Sequence, residues 1–161
     1  RSYQENELDD WADIETSVGE FDTTEESRRY FIREFLPYPD ELPRRVYFLY
    51  NAAGKKIGTI SAWWLDQGKN NHPLLHWVAI KPDYQGQGLG RPLINFGIRK
   101  LIEIEGDLDI YLRTQTWSHR AIALYLLEGF QFIKKPFAGY QNDYFQAIRV
   151  LNDKIGKYLL N

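Results

Sequence analysis

The stretch Gln85-Gly86-Gln87-Gly88-Leu89-Gly90 lies between a run with strand character, residues 74–80, and a run with helix character that opens with Arg91-Pro92. Proline is common in the first turn of a helix. Three glycines permit tight turns and let the main chain approach a ligand closely. Because N–H groups and the positive end of the helix dipole meet at a helix start, negative charge is favoured there. The stretch therefore predicts a phosphate-binding loop built from backbone.

The spacing of the glycines excludes two common phosphate-binding motifs. A dinucleotide fingerprint needs a third glycine three positions after its second, and Arg91 or Leu93 stands there instead. A P-loop needs Gly-Lys followed by Ser or Thr, which the sequence lacks. The pattern that remains is Gln-x-x-Gly-x-Gly, at Gln85, Gly88 and Gly90.

A second pattern follows about thirty residues later. It runs from Ser118, with an alanine three positions on, through Leu124-Tyr125 to Gly129-Phe130. The two patterns together resemble the acyl-CoA-binding signatures of the GNAT superfamily of N-acetyltransferases. Ser118 stands where asparagine is common in that family, and either residue can cap a helix.

The resemblance implies that coenzyme A binds along the strand before the glycine loop and at the loop itself. Backbone groups of Val78 and Ile80 would pair with the pantetheine amides, and residues 85–91 would hold the pyrophosphate. The Arg91 side chain would either neutralise phosphate or remain a solvated cation. The residues assigned to coenzyme A are Val78, Ile80, Gln85, Gly86, Gln87, Gly88, Leu89, Gly90, Arg91 and Ser118.

Two side chains are candidates for catalysis. Tyr125 falls where the family places a tyrosine that protonates the departing thiolate; the alternative is a core aromatic on an apolar helix face, with Ile122, Leu124 and Leu126 around it. His76 can accept the proton of an ammonium group or can be a satisfied core histidine. Some family members carry two histidines on this strand; His76 matches the second, and Leu74 replaces the first. Strand alternation predicts His76, Val78 and Ile80 on one face, and Trp77 and Ala79 on the other.

These features predict transfer of an acetyl group from acetyl-CoA to a primary amine, directly within a ternary complex. Neither cysteine nor a Ser–His–Asp pattern suggests a covalent intermediate. A non-catalytic acyl-CoA-binding domain is the alternative, and a domain for another phosphate-bearing ligand is a third. The acceptor is a small molecule or a peptide. Aromatic and acidic residues that can line its pocket are Trp63, Trp64, Asp66, Trp117 and Tyr140.

Composition sets limits on class and location. A chain of 161 residues, 43% hydrophobic, predicts one folded domain, 1–161. A net charge of −2 argues against nucleic acid as a partner. The three histidines, His72, His76 and His119, are poorly spaced for a metal, and no apolar run approaches the ~20 residues of a membrane span. We expect a soluble cytoplasmic protein without a metal; the family makes a homodimer possible.

The order of patterns predicts an α+β fold with a mixed, mostly antiparallel sheet flanked by helices. The family's first strand is not evident. Predicted helices cover residues 8–14, 24–36, 90–105 and 119–128; a capping-box pattern at residues 23–26 opens the second, and Gly129 fits the end of the last. Predicted strands cover residues 45–50, 56–64, 75–81, 108–113, 130–137 and 143–150, and the turn at residues 51–54 joins the first two as a hairpin.

Overall fold

The computed structural model describes residues 1–66 and 72–156. Its elements are α1 (Leu8–Ser17), α2 (Thr24–Glu34), α3 (Leu42–Arg45), β1 (Val46–Tyr50), β2 (Lys56–Trp64), β3 (Pro73–Ile80), α4 (Gly90–Glu105), β4 (Tyr111–Leu112), α5 (His119–Leu127) and α6 (Tyr144–Ile155). The four strands form one mixed sheet in the order β1-β2-β3-β4. The predicted α+β class is confirmed. The chain divides into two compact units, Arg1–Tyr111 and a second that begins at Leu112.

Helix α2 begins where the capping pattern predicted. The Thr23 side chain accepts a hydrogen bond from the Glu26 N–H at 3.2 Å. This bond satisfies one of the N–H groups that a helix start leaves unpaired. The helix ends at Glu34, before Pro37, and α1 runs to Ser17, three residues beyond the prediction.

Strands β1 and β2 form the predicted antiparallel hairpin. Its turn is closed by the Asn51 side chain, whose oxygen accepts N–H groups of Ala53 at 3.0 Å and Lys55 at 2.9 Å. On the outer side of β1, the Tyr3 N–H donates to the Val46 carbonyl at 2.7 Å. An isolated bridge between Ser2 and Tyr47 lies where the sequence showed no strand.

The register of β3 against β2 contradicts the predicted alternation. His76 opposes Ser61 and Ala79 opposes Thr59, so two residues of β3, Trp77 and Val78, face a single residue of β2. This is a β-bulge, and its extra residue exchanges the two faces to which the following side chains of β3 point. Because Thr59 and Ser61 are two residues apart, His76 and Ala79 share one face of the sheet, where the prediction had separated them.

Helix α4 packs closely on one face of the sheet, over β2 and β3. Its bounds match the prediction, and its buried residues are Leu93, Ile94, Gly97 and Leu101. A Cβ added at Gly97 would lie 2.4 Å from the Ile60 Cδ1 atom and 2.5 Å from the Leu75 Cδ1 atom. Glycine is therefore required by the close approach of helix and sheet.

Helices α1 and α2 cover the other face of the sheet with an aromatic core. Trp11 is fully buried, and its ring lies edge-on to Phe31 at 5.1 Å and to Phe35 at 5.5 Å. The Phe35 ring lies 4.6 Å from Trp63 of β2. These contacts fix α1 and α2 against the sheet.

The second unit corrects two predicted strands. Residues 143–150, predicted as a strand, begin helix α6. Residues 130–137 form no strand beyond a bridge from Phe137 to Tyr140. The shielded apolar positions of α6 are Tyr144, Ala147, Ile148, Leu151 and Ile155. Their spacing is that of one face of a helix. The prediction of a strand relied instead on the strand propensity of the β-branched and aromatic residues. The strand predicted at 108–113 is shortened to Tyr111–Leu112.

A buried cation ties three elements of the first unit together. The Arg45 side chain is only 4% exposed and pairs with Glu41 and Glu105, each at 2.5 Å. It also donates to the Ala62 carbonyl at 3.0 Å and lies 3.9 Å from the ring centre of Trp64. The charge is thus compensated on every side, as burial of an ion requires.

Replacing Arg45 should be far more damaging than replacing its neighbour Arg44. Arg45→Met leaves the Glu41 and Glu105 carboxylates without their buried partner, and we expect a loss of about 3–5 kcal/mol in the free energy of unfolding. Arg44 also pairs with Glu41, at 2.6 Å, but is 55% exposed, so Arg44→Met should cost about 0.5 kcal/mol or less. Urea unfolding of both variants tests this; equal losses would contradict it.

Candidate functional site

The glycine loop between β3 and α4 has the conformation that its sequence predicted. Gly86 and Gly88 have φ angles of +74° and +75°. Side chains other than glycine rarely adopt this left-handed region. A Cβ at either position would meet no heavy atom within 4 Å, so the backbone conformation demands glycine there, and the loop is open.

The loop presents a run of N–H groups to solvent. Within the described part of the chain, the N–H groups of Gly86, Gln87, Gly88, Leu89 and Gly90 donate to no other residue. Leu89 caps α4 without a side-chain hydrogen bond, so the first turn of the 16-residue helix keeps its donors available. Such donors, together with the helix dipole, suit a phosphate.

Two glutamines tie the loop to the chain that precedes it, at the end of β3 and at the helical turn Pro82–Tyr84. The Gln85 side-chain amide donates to the Ile80 carbonyl at 2.8 Å. The Gln87 amide donates to the Asp83 carbonyl at 3.3 Å. These bonds leave the backbone of the loop as its ligand-facing part.

His76 lies on the bulged strand beside an exposed edge of the aromatic core. It is half-buried, and its ring lies 4.7 Å from the ring of Trp77. It opposes Ser61, whose buried hydroxyl has no hydrogen-bond partner among the described residues. Val78, in the bulge, and Ile80, opposite Gly58, are also half-buried.

Trp77 is the strained residue of the bulge. Its φ of +49° is uncommon for a bulky side chain and costs about 1–3 kcal/mol. Its ring stacks on Phe21 at 5.2 Å and meets Tyr30 at 4.9 Å and Trp11 at 5.5 Å, both edge-on. Through Trp77, the aromatic rings of Trp11, Phe21 and Tyr30 form a continuous group with His76.

Two acids that sequence reasoning missed lie beside this aromatic group. Glu15 is one helical turn after Trp11 and only 1% exposed, and its Oε1 atom has no partner among the described residues. Burial, and then the nearby charge of Glu20, raise the pKa of Glu15 well above its usual value. Burial also raises the pKa of Glu20, which precedes Phe21.

Charge distribution is the sequence signal that points to these acids. Residues 2–27 contain ten acidic side chains and no lysine, arginine or histidine, although the whole chain is nearly neutral. Asp13 pairs with Lys81, and Asp9 pairs with Arg28. Acids that form no ion pair with a described residue are Glu5, Glu15, Glu20, Asp22 and Glu26.

Tyr125 and Ser118 belong to the second unit. Tyr125 is 8% exposed on α5, and its ring lies 5.9 Å from Phe130, whose N–H donates to the Tyr125 carbonyl at 3.1 Å. Gly129, with φ +92°, ends the helix as predicted. Ser118 is at the N-cap, but its side chain makes no capping hydrogen bond, contrary to expectation. A helical turn, Thr116–Ser118, already precedes α5 and draws Ser118 out of extended geometry.

The residues considered for an acceptor pocket are divided between the two units, and each has contacts within its own unit. Trp63 belongs to the buried core, and Trp64 donates its indole N–H to Glu105 at 3.1 Å. Asp66 lies 3.2 Å from the Nδ1 atom of His72. Trp117 is 67% exposed, while Tyr140 carries the Arg113 guanidinium 4.0 Å from its ring centre.

Two features are absent from residues 1–66 and 72–156. Groups of three or more acidic, histidine or cysteine side chains able to hold a metal are absent from these ranges. Helices long and apolar enough to cross a membrane are absent from them as well.

Comparison with known proteins assigns the family. The pattern that defines the Acetyltransferase (GNAT) family matches residues 7–130, which cover the bulged strand, the glycine loop and α5. The chain belongs to this family, as the two sequence signatures predicted.

Individual relatives are similar over shorter stretches. The N-alpha-acetyltransferase RimI of Mycobacterium tuberculosis is 37% identical over 57 residues, 35% of this chain and 34% of its own length. The ribosomal protein bS18-alanine N-acetyltransferase of Escherichia coli K12 is 37% identical over 73 residues, 45% of this chain and 49% of its own. The chain thus spans about half the length, or less, of the curated relatives it matches.

Solved structures share the fold at low identity. A chimera of spermidine N-acetyltransferase SpeG from Vibrio cholerae and hSSAT superposes with a TM-score of 0.61 at 16% identity, over 89% of this chain and 87% of its own. A putative acetyltransferase from Agrobacterium tumefaciens gives 0.59 at 19% identity, over 88% and 98%.

The buried Glu15 carboxyl should make stability fall as pH rises. Above pH ~4.3 the unfolded chain releases this proton while the folded protein keeps it. The free energy of unfolding therefore decreases as pH rises, and the decrease stops once the pH exceeds the raised pKa of the folded state. We expect Glu15→Gln to reduce the fall between pH 5 and 8, which for one group approaches about 1.4 kcal/mol per pH unit.

Urea unfolding at several pH values measures this slope. Glu26→Gln, at an exposed acid on α2, removes the same charge and should keep the wild-type slope. Identical slopes for wild type and Glu15→Gln would show that the carboxyl is ionised in the folded protein.

Proposed function

We propose that residues 1–161 act as one acetyltransferase domain that moves an acetyl group from acetyl-CoA to a primary amine. The observation that carries the proposal is the run of available N–H groups at Gly86–Gly90, directly after the bulged strand, in a chain of the GNAT family. The diphosphate of coenzyme A fits this loop because backbone donors and the α4 dipole both favour negative charge there.

The pantetheine arm would lie along β3. The ring of Tyr111, the first residue of β4, meets His72 at 5.3 Å, which places the short strand β4 beside the beginning of β3. Because β4 is only two residues long, the proposed arrangement leaves the edge of β3 near the bulge available to the pantetheine arm. Backbone groups of Val78 and Ile80 are the proposed partners of the pantetheine amides. Residues Gln85 to Arg91 are the proposed partners of the diphosphate, and Ser118 is a further proposed contact of coenzyme A.

Transfer would be direct. The neutral amine nitrogen attacks the thioester carbonyl carbon, the C–S bond breaks, and the amine proton leaves to a base. His76 is the proposed base because the imidazole side chain can accept a proton near neutral pH. Tyr125 is the proposed acid that protonates the thiolate, on the basis of its place in the second family signature.

The acceptor is a small-molecule or peptide amine. The names of relatives include both kinds, since one set is named for an alanine of a ribosomal protein and one structural neighbour for spermidine. We propose a cytoplasmic enzyme, with a homodimer as its candidate assembly and no nucleic acid or membrane as partner.

A non-catalytic acyl-CoA sensor is the second candidate. It is favoured by Leu74 in place of a first histidine and by Ser118, which makes no side-chain cap. Release of free coenzyme A in the presence of a panel of amines separates the two, because a sensor binds acetyl-CoA without consuming it.

Substitution at Gly88 should weaken coenzyme A binding. Gly88→Ala forces an alanine to φ +75° and places a methyl group on the open side of the loop, so we expect at least a tenfold rise in the Kd for coenzyme A, about 1.4 kcal/mol. Calorimetric titration measures it. Gly54→Ala is the matched control, since Gly54 also has φ +75° and open space but lies in the β1–β2 turn. Equal Kd values for both variants would contradict the proposed loop.

Loss of the Tyr125 hydroxyl should slow the chemical step. Tyr125→Phe removes the proposed proton donor while keeping the ring, and we expect kcat to fall about 100-fold with little change in the KM for acetyl-CoA. Phe130→Leu, at the ring that Tyr125 contacts, controls for altered packing and should change kcat much less. Unchanged turnover in Tyr125→Phe would exclude the role.

A further inference from the structure

We propose that Ser61 positions His76 for catalysis. Its hydroxyl accepts a hydrogen bond from one ring N–H of His76, so that the other ring nitrogen is left to take the amine proton. The inference rests on the proposed function, in which His76 is the base, and adds a residue to that reaction. Because Ser61 acts through His76, it is a positioning residue.

Pairing of β2 with β3 places the two side chains together. Ser61 lies directly opposite His76 in the antiparallel register, where β3 enters the bulge. Side chains of opposite residues point to the same face, and their Cβ atoms lie about 4.5–5.5 Å apart. The serine oxygen is bonded to its own Cβ, and the nearer imidazole nitrogen lies two bonds from the histidine Cβ. Rotation of the His76 side chain can therefore bring a ring nitrogen to the hydroxyl.

The Ser61 hydroxyl has no other use among the described residues. Ser61 is 0% exposed, and its oxygen has no hydrogen-bond partner within that part of the chain. A buried hydroxyl without a partner is costly, whereas alanine would fill nearly the same space without that cost. Of the two residues directly opposite Ser61, Val46 on β1 is apolar, and His76 on β3 carries ring nitrogens. His76 is therefore the partner that the register offers.

A second buried hydroxyl on the same face of β2 provides a comparison. Thr59, two residues before Ser61, is also 0% exposed, and residues two apart in a strand share a face. Its hydroxyl donates to the Tyr47 carbonyl at 3.0 Å. The backbone thus satisfies Thr59, while the hydroxyl opposite the proposed base is kept for a side chain.

The hydrogen bond would fix the state in which the imidazole is a base. A neutral imidazole has a proton on one nitrogen and a lone pair on the other, and a hydrogen bond at one nitrogen sets which is which. With Ser61 as acceptor, the N–H points toward β2 and the lone pair points away from it. The Trp77 ring, 4.7 Å from His76, restricts the imidazole on another side.

The same bond would support the proton transfer itself. The amine proton moves to the lone pair of His76, and the ring becomes an imidazolium. The hydrogen bond to Ser61 is then charge-assisted and stronger, while Ser61 neither gains nor loses a proton. Catalytic hydrogen bonds commonly tighten only in the complex with substrate, so we expect this bond in the ternary complex.

Loss of the hydroxyl should slow turnover without weakening binding. We expect Ser61→Ala to lower kcat about tenfold, the effect of one hydrogen bond on a barrier, with little change in the KM for acetyl-CoA or for the amine. Thr59→Val removes the other buried hydroxyl of this face and should lower stability while keeping kcat near the wild-type value. An unchanged kcat in Ser61→Ala, or an equal fall in Thr59→Val, would overturn the inference.

A double-mutant cycle connects the effect to His76. His76→Ala removes the proposed base, so Ser61→Ala should cause no further loss of kcat in that background. The same loss in both backgrounds would show that Ser61 acts elsewhere and would overturn the inference. Full turnover in His76→Ala refutes the base and this inference with it, and leaves the proposed acetyl transfer standing.

Nuclear magnetic resonance keeps the test independent of turnover. The imidazole nitrogen signals of His76, which differ between tautomers, are recorded for the protein saturated with coenzyme A. We expect a single tautomer in the wild type and signals displaced toward a mixture in Ser61→Ala. Ser61→Cys, whose thiol is a weak acceptor, replaces this variant if it fails to fold. Identical His76 signals in wild type and variant overturn the inference. Absence of coenzyme A release with any amine would instead refute the proposed activity, and these signals would still decide the role of Ser61.

Discussion

The extra residue that the bulge inserts into β3 between His76 and Ala79 reverses which side chains of the strand point to each face of the sheet. The arrangement of the site depends on this reversal. Before the bulge, Leu75 faces α4; after it, Ala79 faces the aromatic core. Antiparallel pairing with β2 holds both halves in place. Trp77 bears the strain as a positive φ, which surrounding ring contacts stabilise. The bulge thereby brings His76 and the core aromatics together.

The glycine loop depends on this strand for its position. Gln85 binds the carbonyl of Ile80, so the loop leaves the strand at a fixed point and enters α4 with its N–H groups outward. On the opposite side of the loop, α4 is held close to the sheet because Gly97 permits contact with Ile60 and Leu75. The phosphate-binding donors and the strand therefore form one rigid arrangement within the first unit, and family membership gives that arrangement its chemical meaning.

Buried polar groups add what the family signatures do not specify, because signatures describe the part of the protein that holds coenzyme A. Glu15 is buried on α1, and the nearby Glu20 precedes Phe21, whose ring stacks on Trp77. Ser61 is buried on β2 and opposes His76. A polar group that is buried without a partner weakens the fold, so its presence is informative about function.

Local sequence was enough to determine the capped start of α2 at Thr23, the hairpin closed by Asn51, and the glycine loop with helix α4, because each depends on contacts within a few residues. The family followed from the spacing of its two signatures. Tertiary structure alone decided three other features. Alternation could not reveal the bulge at Trp77, since an extra residue leaves no trace until β2 sets the register. Residues 143–150 became part of a helix because packing of their apolar residues, which have helical spacing, outweighed their strand propensity. The burial of Glu15 beside Glu20 arose only when α1 packed on the sheet, because burial and proximity in space are properties of the folded chain.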